Sequence, residues 1–328
     1  MLRVFEICAG AGGMALGLEK AGFAAVALVE IDSHACATLR ANRPSWNVLE
    51  ADVRTLDPVG YEGVELFAGG VPCPPFSVAG KQLGADDDRD LFPTALDMIE
   101  RIRPKSVFLE NVPGFAASRF LGYRRALATR LNELGYWVDW AVLNASDYGV
   151  PQLRPRFILV ALQERFVPFF EWPAKEPAEQ TVGECLADLM GQGGWPEASS
   201  WADGANGIAP TLVGGSKKHG GADLGPTRAR AAWSKLGVNG LSLADAPPGP
   251  DFPSETMPRL TLRMTARVQG FPDSWRLSGG KTAAYRQVGN ALPPPVAEAV
   301  GRSLANALMR ETPVRRSGQQ LSLQAQMA

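Results

Sequence analysis

The chain has 328 residues, 45% of them hydrophobic and 20% charged, with a formal net charge of −1. That length holds one large or two moderate domains, no apolar run is long enough to span a membrane, and the N-terminus lacks a basic region followed by a long apolar core, so a cytoplasmic protein is expected. The four cysteines (Cys8, Cys36, Cys73, Cys185) never form a CxxC pair and only two histidines are present, which argues against a structural zinc site or a disulfide framework.

Through about residue 162, strand-like runs ("RVFEICA", "AAVALVEI", "VELFAGG", "SVFLENV", "WVDWAVL", "RFILVAL") alternate with helix-like segments ("GMALGLEKAG", "SHACATLRAN", "LFPTALDMIERI", "GYRRALATRLNELG"). This alternation predicts an α/β, doubly wound, mostly parallel sheet covered on both faces, with ligands bound beyond the carboxyl ends of its strands. The first strand runs into Gly10, Gly12 and Gly13 and then a helix, a loop that lets backbone approach a ligand closely. Glu30 ends the second strand, where an acid can accept from both ribose hydroxyls, and Asp52 follows the next short strand, within reach of an adenine amino group. Loop plus acid points to a nucleoside-type cofactor without separating NAD from S-adenosylmethionine. The plainer reading is a tight strand–helix turn with two incidental acids.

The next strand leads into "GGVPCPPFS", where Cys73 lies between Pro72 and the pair Pro74 and Pro75. Those prolines exclude helix and ladder, so the thiol sits on a stiff, extended loop. Glu110 follows in "SVFLENV", and Arg154 and Arg156 in "VPQLRPRF". Parallel strands would bring Cys73 and Glu110 to the edge that carries the glycine loop. A thiolate, a carboxyl group and a methyl donor in one crevice suit methylation of carbon 5 of cytosine. That carbon is too weak a nucleophile until a soft nucleophile adds to carbon 6 and an acid supports ring nitrogen 3. A free thiol has a pKa of about 8.5, so the two arginines are candidates for lowering it and for fixing the base. The plainer readings are a buried small hydrophobe for the cysteine, which suits Cys8 and Cys36 better, a strand-end acid for Glu110, and surface charge for the arginines.

From about Val167 proline, glycine and tryptophan become frequent and periodicity fades, as expected of a second, irregular domain running to about Pro258. Arg165 to Ile208 holds two basic residues against seven acids, whereas Ser216 to Gly240 holds five Lys/Arg against one Asp and Arg259 to Arg286 six against one. The two basic stretches can line a polyanion groove or be solvated surface. "LTLRMTARVQGF" reads as a strand or turn leading into a helix, and "PPPVAEAVGRSLANALM" as a closing helix.

In this order the motifs resemble those of the carbon-5 cytosine DNA methyltransferases of bacterial restriction–modification systems, from Val4 to about Met309. "FEICAGAGGMALGLEKAGF" is similar to the family's first motif, with Glu6 where Asp is commoner and Cys8 where Phe is usual. "PCPPFS" resembles its nucleophile motif, with Pro74 where Gln is commoner. "ENV", "QLRPR", "RLTLRMTARVQGFPD" and "AYRQVGNALPPPVAEAV" resemble the later ones. The resemblance implies the S-adenosylmethionine-dependent, Rossmann-like methyltransferase fold. It makes Cys73 the nucleophile on carbon 6, Glu110 the partner of ring nitrogen 3 and the amino group, and Arg154 and Arg156 supports of a flipped base. S-adenosylmethionine, leaving as S-adenosylhomocysteine without a metal, would lie among Val4, Phe5, Ala9, Gly10, Gly12, Gly13, Glu30, Ile31, Asp52, Val53, Pro72, Asn290 and Ala291. Val4 is the position aligned with an adenine-stacking aromatic, and Phe5 is adjacent.

The resemblance further implies a catalytic domain over residues 1–164 completed by 282–310, a target-recognition domain and hinge over 165–281, and a mobile tail over 311–328. "VAGKQLGADDDRDLF" would close on double-stranded DNA, with Ser77, Gln82 and Arg89 contacting it, while Lys217, Lys218, Arg228, Arg230 and Lys235 contact phosphates or guanines. A cognate restriction endonuclease would act on the same site without direct contact, and the protein would work as a monomer away from any membrane. A tRNA cytosine methyltransferase of the same fold lacks support because its cysteine–phenylalanine–threonine signature is absent. A catalytically silent DNA-binding relative is disfavoured by intact Cys73 and Glu110, and an NAD-dependent oxidoreductase survives only if the glycine loop is read alone.

Overall fold

A computed structural model describes residues 1–72, 90–177, 179–215 and 221–310. Its first half runs β1 (Leu2–Ile7), α1 (Gly13–Lys20), β2 (Phe23–Glu30), α2 (Ser33–Asn42), β3 (Val48–Glu50), β4 (Leu66–Gly70), α3 (Phe92–Ile102), β5 (Ser106–Asn111), α4 (Leu121–Glu133), β6 (Tyr136–Asn144), β7 (Gln152–Leu153) and β8 (Pro155–Gln163). The four helix-like segments of the sequence are these four helices. Seven strands form one sheet in the order β3-β2-β1-β4-β5-β8-β6. From β3 to β5 every pairing is parallel. β8 instead lies antiparallel to both neighbours, with Asn111 opposite Phe157 and Asn144 opposite Pro155. The sheet is mostly parallel, as expected, and reverses at β8 because only the short 3-10 turn Ala145–Asp147 and β7 lie between β6 and β8, too little chain for a crossover.

Strand alternation sends successive side chains into two apolar layers. Phe5, Ile7, Phe67, Val107 and Leu109 meet Met98 and Ile99 of α3 and Leu127 and Leu131 of α4. Val4, Leu66, Ala68 and Phe108 meet Met14 and Leu18 of α1 on the opposite face. The same layer takes Val296, Val300 and Leu304 from α10 (Pro294–Met309), the closing helix, which returns from the far end of the chain to cover the sheet.

Between these parts lie α5 (Val182–Gly191), α6 (Ala198–Gly204), β9 (Ala209–Pro210), α7 (Thr227–Ser234), α8 (Leu262–Val268) and α9 (Lys281–Asn290). The region expected to be irregular therefore contains short helices. Val182, Leu186, Trp201, Trp233, Leu260, Met264 and Tyr285 give it an apolar cluster of its own. A capping box starts α5, with Glu184 N–H donating to Thr181 Oγ1 and Thr181 N–H to Glu184 Oε2. Elements this short repeat their apolar face too few times to stand out from a glycine- and proline-rich background.

Arg154 ties the two parts together. It is fully buried, and its guanidinium donates to Leu212 O (2.6 Å), Gly289 O (2.6 Å) and Ala291 O (2.9 Å). Burial holds its pKa well below the usual arginine value. With Nη1 and Nη2 donating to these carbonyls, and Nε without a partner among the described residues, Arg154 acts as a joint between the two parts of the fold. Beside it Gly289 and Gly214 approach backbone to backbone so closely that a Cβ on Gly289 would overlap Gly214.

Candidate active site

The carboxyl ends of β1, β2, β4 and β5 surround one cleft of about 650 Å³. It lies at the switch point of the sheet, where the chain turns from β2 on one side of β1 to β4 on the other. Gly12, at φ +82°, caps α1 and allows the tight turn out of β1. Glu30 then stitches the first two loops together. Its Oε2 accepts the Gly10 N–H (2.7 Å), and its Oε1 accepts those of Ile31 and Asp32 (2.8 Å each). A carboxylate accepts about four hydrogen bonds, so Oε2 retains capacity for a hydroxyl.

Asp52 follows β3 and pairs with Arg54 at 2.5 Å, the ion pair and hydrogen bonds lowering its pKa. Ile31, 63% exposed, stands at the cleft as an apolar side chain, and Val53 lines it as well. Among the described residues, apart from its chain neighbours, a Cβ on Gly10 would meet nothing within 4 Å, so space is open above that backbone. Acceptors for hydroxyls and an amino group beside apolar walls are what a nucleoside-bearing cofactor requires. S-adenosylmethionine fits this donor set.

The reactive end is built by β4 and β5. Asn111 Nδ2 donates to Val71 O (3.1 Å), fixing the chain just before Pro72 and hence the entry to the cysteine loop. Glu110 is held by Arg156, whose Nε lies 2.8 Å from Oε1, with the two side chains only 11% and 12% exposed. Burial raises the Glu110 pKa, and the charges of Arg156 and Arg154 act against that rise. Burial likewise lowers that of Arg156. The pair is a desolvated carboxyl in a fixed orientation, next to the strand exit that leads to Cys73.

Of the residues expected around a cofactor, Ala9, Gly10, Gly13, Glu30, Ile31, Asp52, Val53, Pro72, Asn290 and Ala291 line this cleft, as does Glu110. Gly12 sits in the turn behind it. Val4 and Phe5 do not reach it. Both are buried within the sheet layers, because they lie toward the amino end of β1, away from the edge where ligands enter. The sequence reading missed Glu6 and Cys8, which do line the cleft, and also Arg286 and Gln287 of α9. In the sequence Cys8 reads as a buried small hydrophobe. Its φ of +54° breaks the strand alternation just before the glycine loop and leaves it in the cleft wall. Burial and then the charges of Glu30, Glu6 and Asp52 raise its pKa, so its thiol stays protonated.

Cys73, Ser77, Gln82, Arg89, Lys217, Lys218 and the 311–328 tail lie outside the described residues. Arg228 and Arg230 lie on α7 and Lys235 just after it. In the second basic stretch Arg267 is paired with Asp188 and Asp273, and Lys281 with Asp245. Part of that positive charge is therefore neutralised by acids of the same chain. Among the described residues no helix is long and apolar enough to cross a membrane.

Residues 2–306 match the family model of the C-5 cytosine-specific DNA methylases. The chain belongs to that family. It is 57% identical over 314 residues to the Type II methyltransferase M.NaeI of Lentzea aerocolonigenes, covering 94% of this chain and 76% of the relative. It is 51% identical over 312 residues to the Type II methyltransferase M.NgoMIV of Neisseria gonorrhoeae, covering 93% and 98%. Two solved structures share the fold of this methylase at low identity. They are a Spodoptera frugiperda DNMT2 mutant (TM-score 0.65, 18% identity, 93% and 99% covered) and the Entamoeba histolytica methyltransferase EhMeth (TM-score 0.64, 15% identity, 93% and 98% covered). The methylase is a DNA (cytosine-5)-methyltransferase, and its substrate is DNA rather than tRNA.

Proposed function

We infer that this enzyme modifies one specific double-stranded DNA sequence, extruding the target cytosine toward the Glu110–Arg156 pair, and that Cys73 supplies the nucleophile. The observation that carries this reading is the desolvated carboxyl of Glu110, fixed by Arg156 at 2.8 Å beside the exit of β4. In the mechanism the Cys73 thiolate adds to carbon 6, and Glu110 donates to ring nitrogen 3, so electron density collects at carbon 5. S-adenosylmethionine, when bound, supplies the electrophilic methyl group. Loss of the carbon-5 proton and expulsion of the thiolate then restore the ring. Arg156 orients Glu110, and Arg154 holds the strand that carries Arg156.

Glu30 would hold the ribose, Asp52 the adenine amino group, Ile31 and Val53 the ring faces, and Asn290 and Ala291 the amino-acid end. In the domain division we propose, residues 1–164 with 282–310 do the chemistry, 165–281 recognise DNA, and 311–328 form the tail. Arg228 and Arg230 are proposed to read guanines, and Lys217, Lys218 and Lys235 to hold phosphates, with Ser77, Gln82 and Arg89 on the closing loop. The Type II relatives support a place in a restriction–modification system, in which a cognate endonuclease acts on the same site without touching a monomeric, cytoplasmic methylase. Bisulfite sequencing of plasmid DNA from cells expressing the protein tests the reading. One short sequence should carry 5-methylcytosine at a single position, and unmodified plasmid would overturn it.

The cofactor assignment makes a separate prediction. A hydrogen bond to a charged group contributes about 1.5–3 kcal/mol, so Glu30→Gln should weaken S-adenosylmethionine binding about ten- to a hundredfold in calorimetry. Unchanged affinity would remove Glu30 from the site.

A further inference from the structure

We propose that Glu6 reads the charge of the bound cofactor, giving up its proton when a cationic ligand group enters the cleft beside it. The proposal rests on the cofactor reading above. Glu6 lies in the middle of the sheet, opposite Leu28 on β2 and Ala68 on β4. Its position in β1 puts it on the same face as Val4, toward α1 and α10. It is 1% exposed and yet lines the cleft, together with Gly13, Met14 and Leu292. Its Oε2 has no hydrogen-bond partner among the described residues.

A buried carboxyl group in that position has two affordable states: neutral, or ionised against a positive partner. Among the described residues no hydrogen-bonding or positively charged partner of Oε2 is present. The charge that bears on Glu6 is that of Glu30, which is also negative, and with burial it pushes the Glu6 pKa up to about 8. Of the other charged groups lining the cleft, Asp52 and Glu110 are acids, Arg54 is paired with Asp52, and Arg286 lies 3.8 Å from Asp32. Near neutral pH the free protein therefore holds Glu6 protonated. A ligand cation beside it stabilises the carboxylate, and the proton leaves to solvent. S-adenosylmethionine carries two such groups, the α-ammonium and the sulfonium, whereas a neutral nucleoside carries none. Glu6 thus favours the charged cofactor over uncharged fragments of it.

The test is calorimetry at pH 7 in buffers of different ionisation enthalpy, which counts protons released per ligand bound. S-adenosylmethionine should release up to about one proton, and 5′-methylthioadenosine, which lacks both cations, none. Release with S-adenosylhomocysteine as well would assign the partner to the ammonium, and release with S-adenosylmethionine alone to the sulfonium. Glu6→Gln should bind the cofactor without this release, and the difference from wild type excludes any proton carried by the cofactor's own amino group. The wild-type association constant should rise with pH by up to about tenfold per unit below pH 8 and that of Glu6→Gln should not. Glu6→Asp, which keeps the carboxyl, should retain the pH dependence. Equal release from wild type and Glu6→Gln, or release with the neutral nucleoside, overturns the proposal. Cofactor binding without release sinks the role of Glu6 alone, whereas no cofactor binding at all sinks the cofactor reading and this inference with it.

Discussion

Replacing Cys73 with serine should abolish methyl transfer, with a loss on the order of 10⁴- to 10⁶-fold, the range seen when a covalent nucleophile is removed. The loss is large because addition to carbon 6 is what makes carbon 5 reactive, and a serine hydroxyl at neutral pH is neither ionised nor soft enough to replace a thiolate. A duplex carrying 5-fluorocytosine at the target should trap wild-type protein covalently, since fluorine blocks the last proton removal, and Cys73→Ser should give no adduct by denaturing electrophoresis or mass. The other cysteines are controls of two kinds. Cys185 is buried in the apolar cluster of the second region and Cys36 donates to Glu30 O at 3.4 Å, so replacing either should leave trapping intact. Cys8 lines the cofactor cleft and its thiol is held protonated. Cys8→Ser should therefore alter cofactor affinity but not the site of the adduct. An adduct that persists in Cys73→Ser would assign the nucleophile elsewhere.

The sequence disclosed the four helices and six of the strands of the first half because those are long enough to repeat their apolar pattern, whereas β7, of two residues, is not. It disclosed the acids of the site because Glu30, Asp52 and Glu110 each follow or end such a strand. It did not disclose the reversal of β8, since direction depends on how the chain crosses between strands and not on the composition of the strand itself. Arg154 and Arg156 illustrate a second limit. Two residues apart in "QLRPR" and chemically identical, they part company only in three dimensions: Arg154 binds carbonyls of Leu212, Gly289 and Ala291, whereas Arg156 meets Glu110. Partners 58 to 137 residues away cannot be read from local pattern. Glu6 was hidden for a different reason. An acid inside an apolar strand looks like an exception to a pattern until the cleft it faces is known.

Glu110→Gln should lower the single-turnover rate of methyl transfer about 10²- to 10⁴-fold, the usual contribution of a positioned acid. The pH profile distinguishes that role from a structural one. Glu110 must carry its proton to donate to ring nitrogen 3. Burial raises its pKa, so it keeps the proton to a higher pH than an exposed glutamate would, and wild-type activity should fall on the alkaline side as that proton is lost. An acidic limb should remain from the need for a Cys73 thiolate. Glutamine keeps a hydrogen-bond donor and the shape of the side chain but has no proton to lose, so the alkaline limb should flatten while the acidic limb stays. The same raised pKa makes a stability prediction of defined sign. Because folded Glu110 binds its proton more tightly than the unfolded chain does, its contribution is fully present below the unfolded pKa of about 4.5 and is lost as pH rises through the folded value. The amide should remove that dependence. Glu110→Ala should behave differently, because it leaves the buried Arg156 Nε without the acceptor that a glutamine carbonyl would keep, a loss of about 1–3 kcal/mol. Thermal unfolding at pH 7 should therefore separate the two variants, the alanine form melting well below wild type and the glutamine form near it. An unchanged alkaline limb in Glu110→Gln would show that the acid acting on the ring is another group and would leave Glu110 only the task of orienting Arg156.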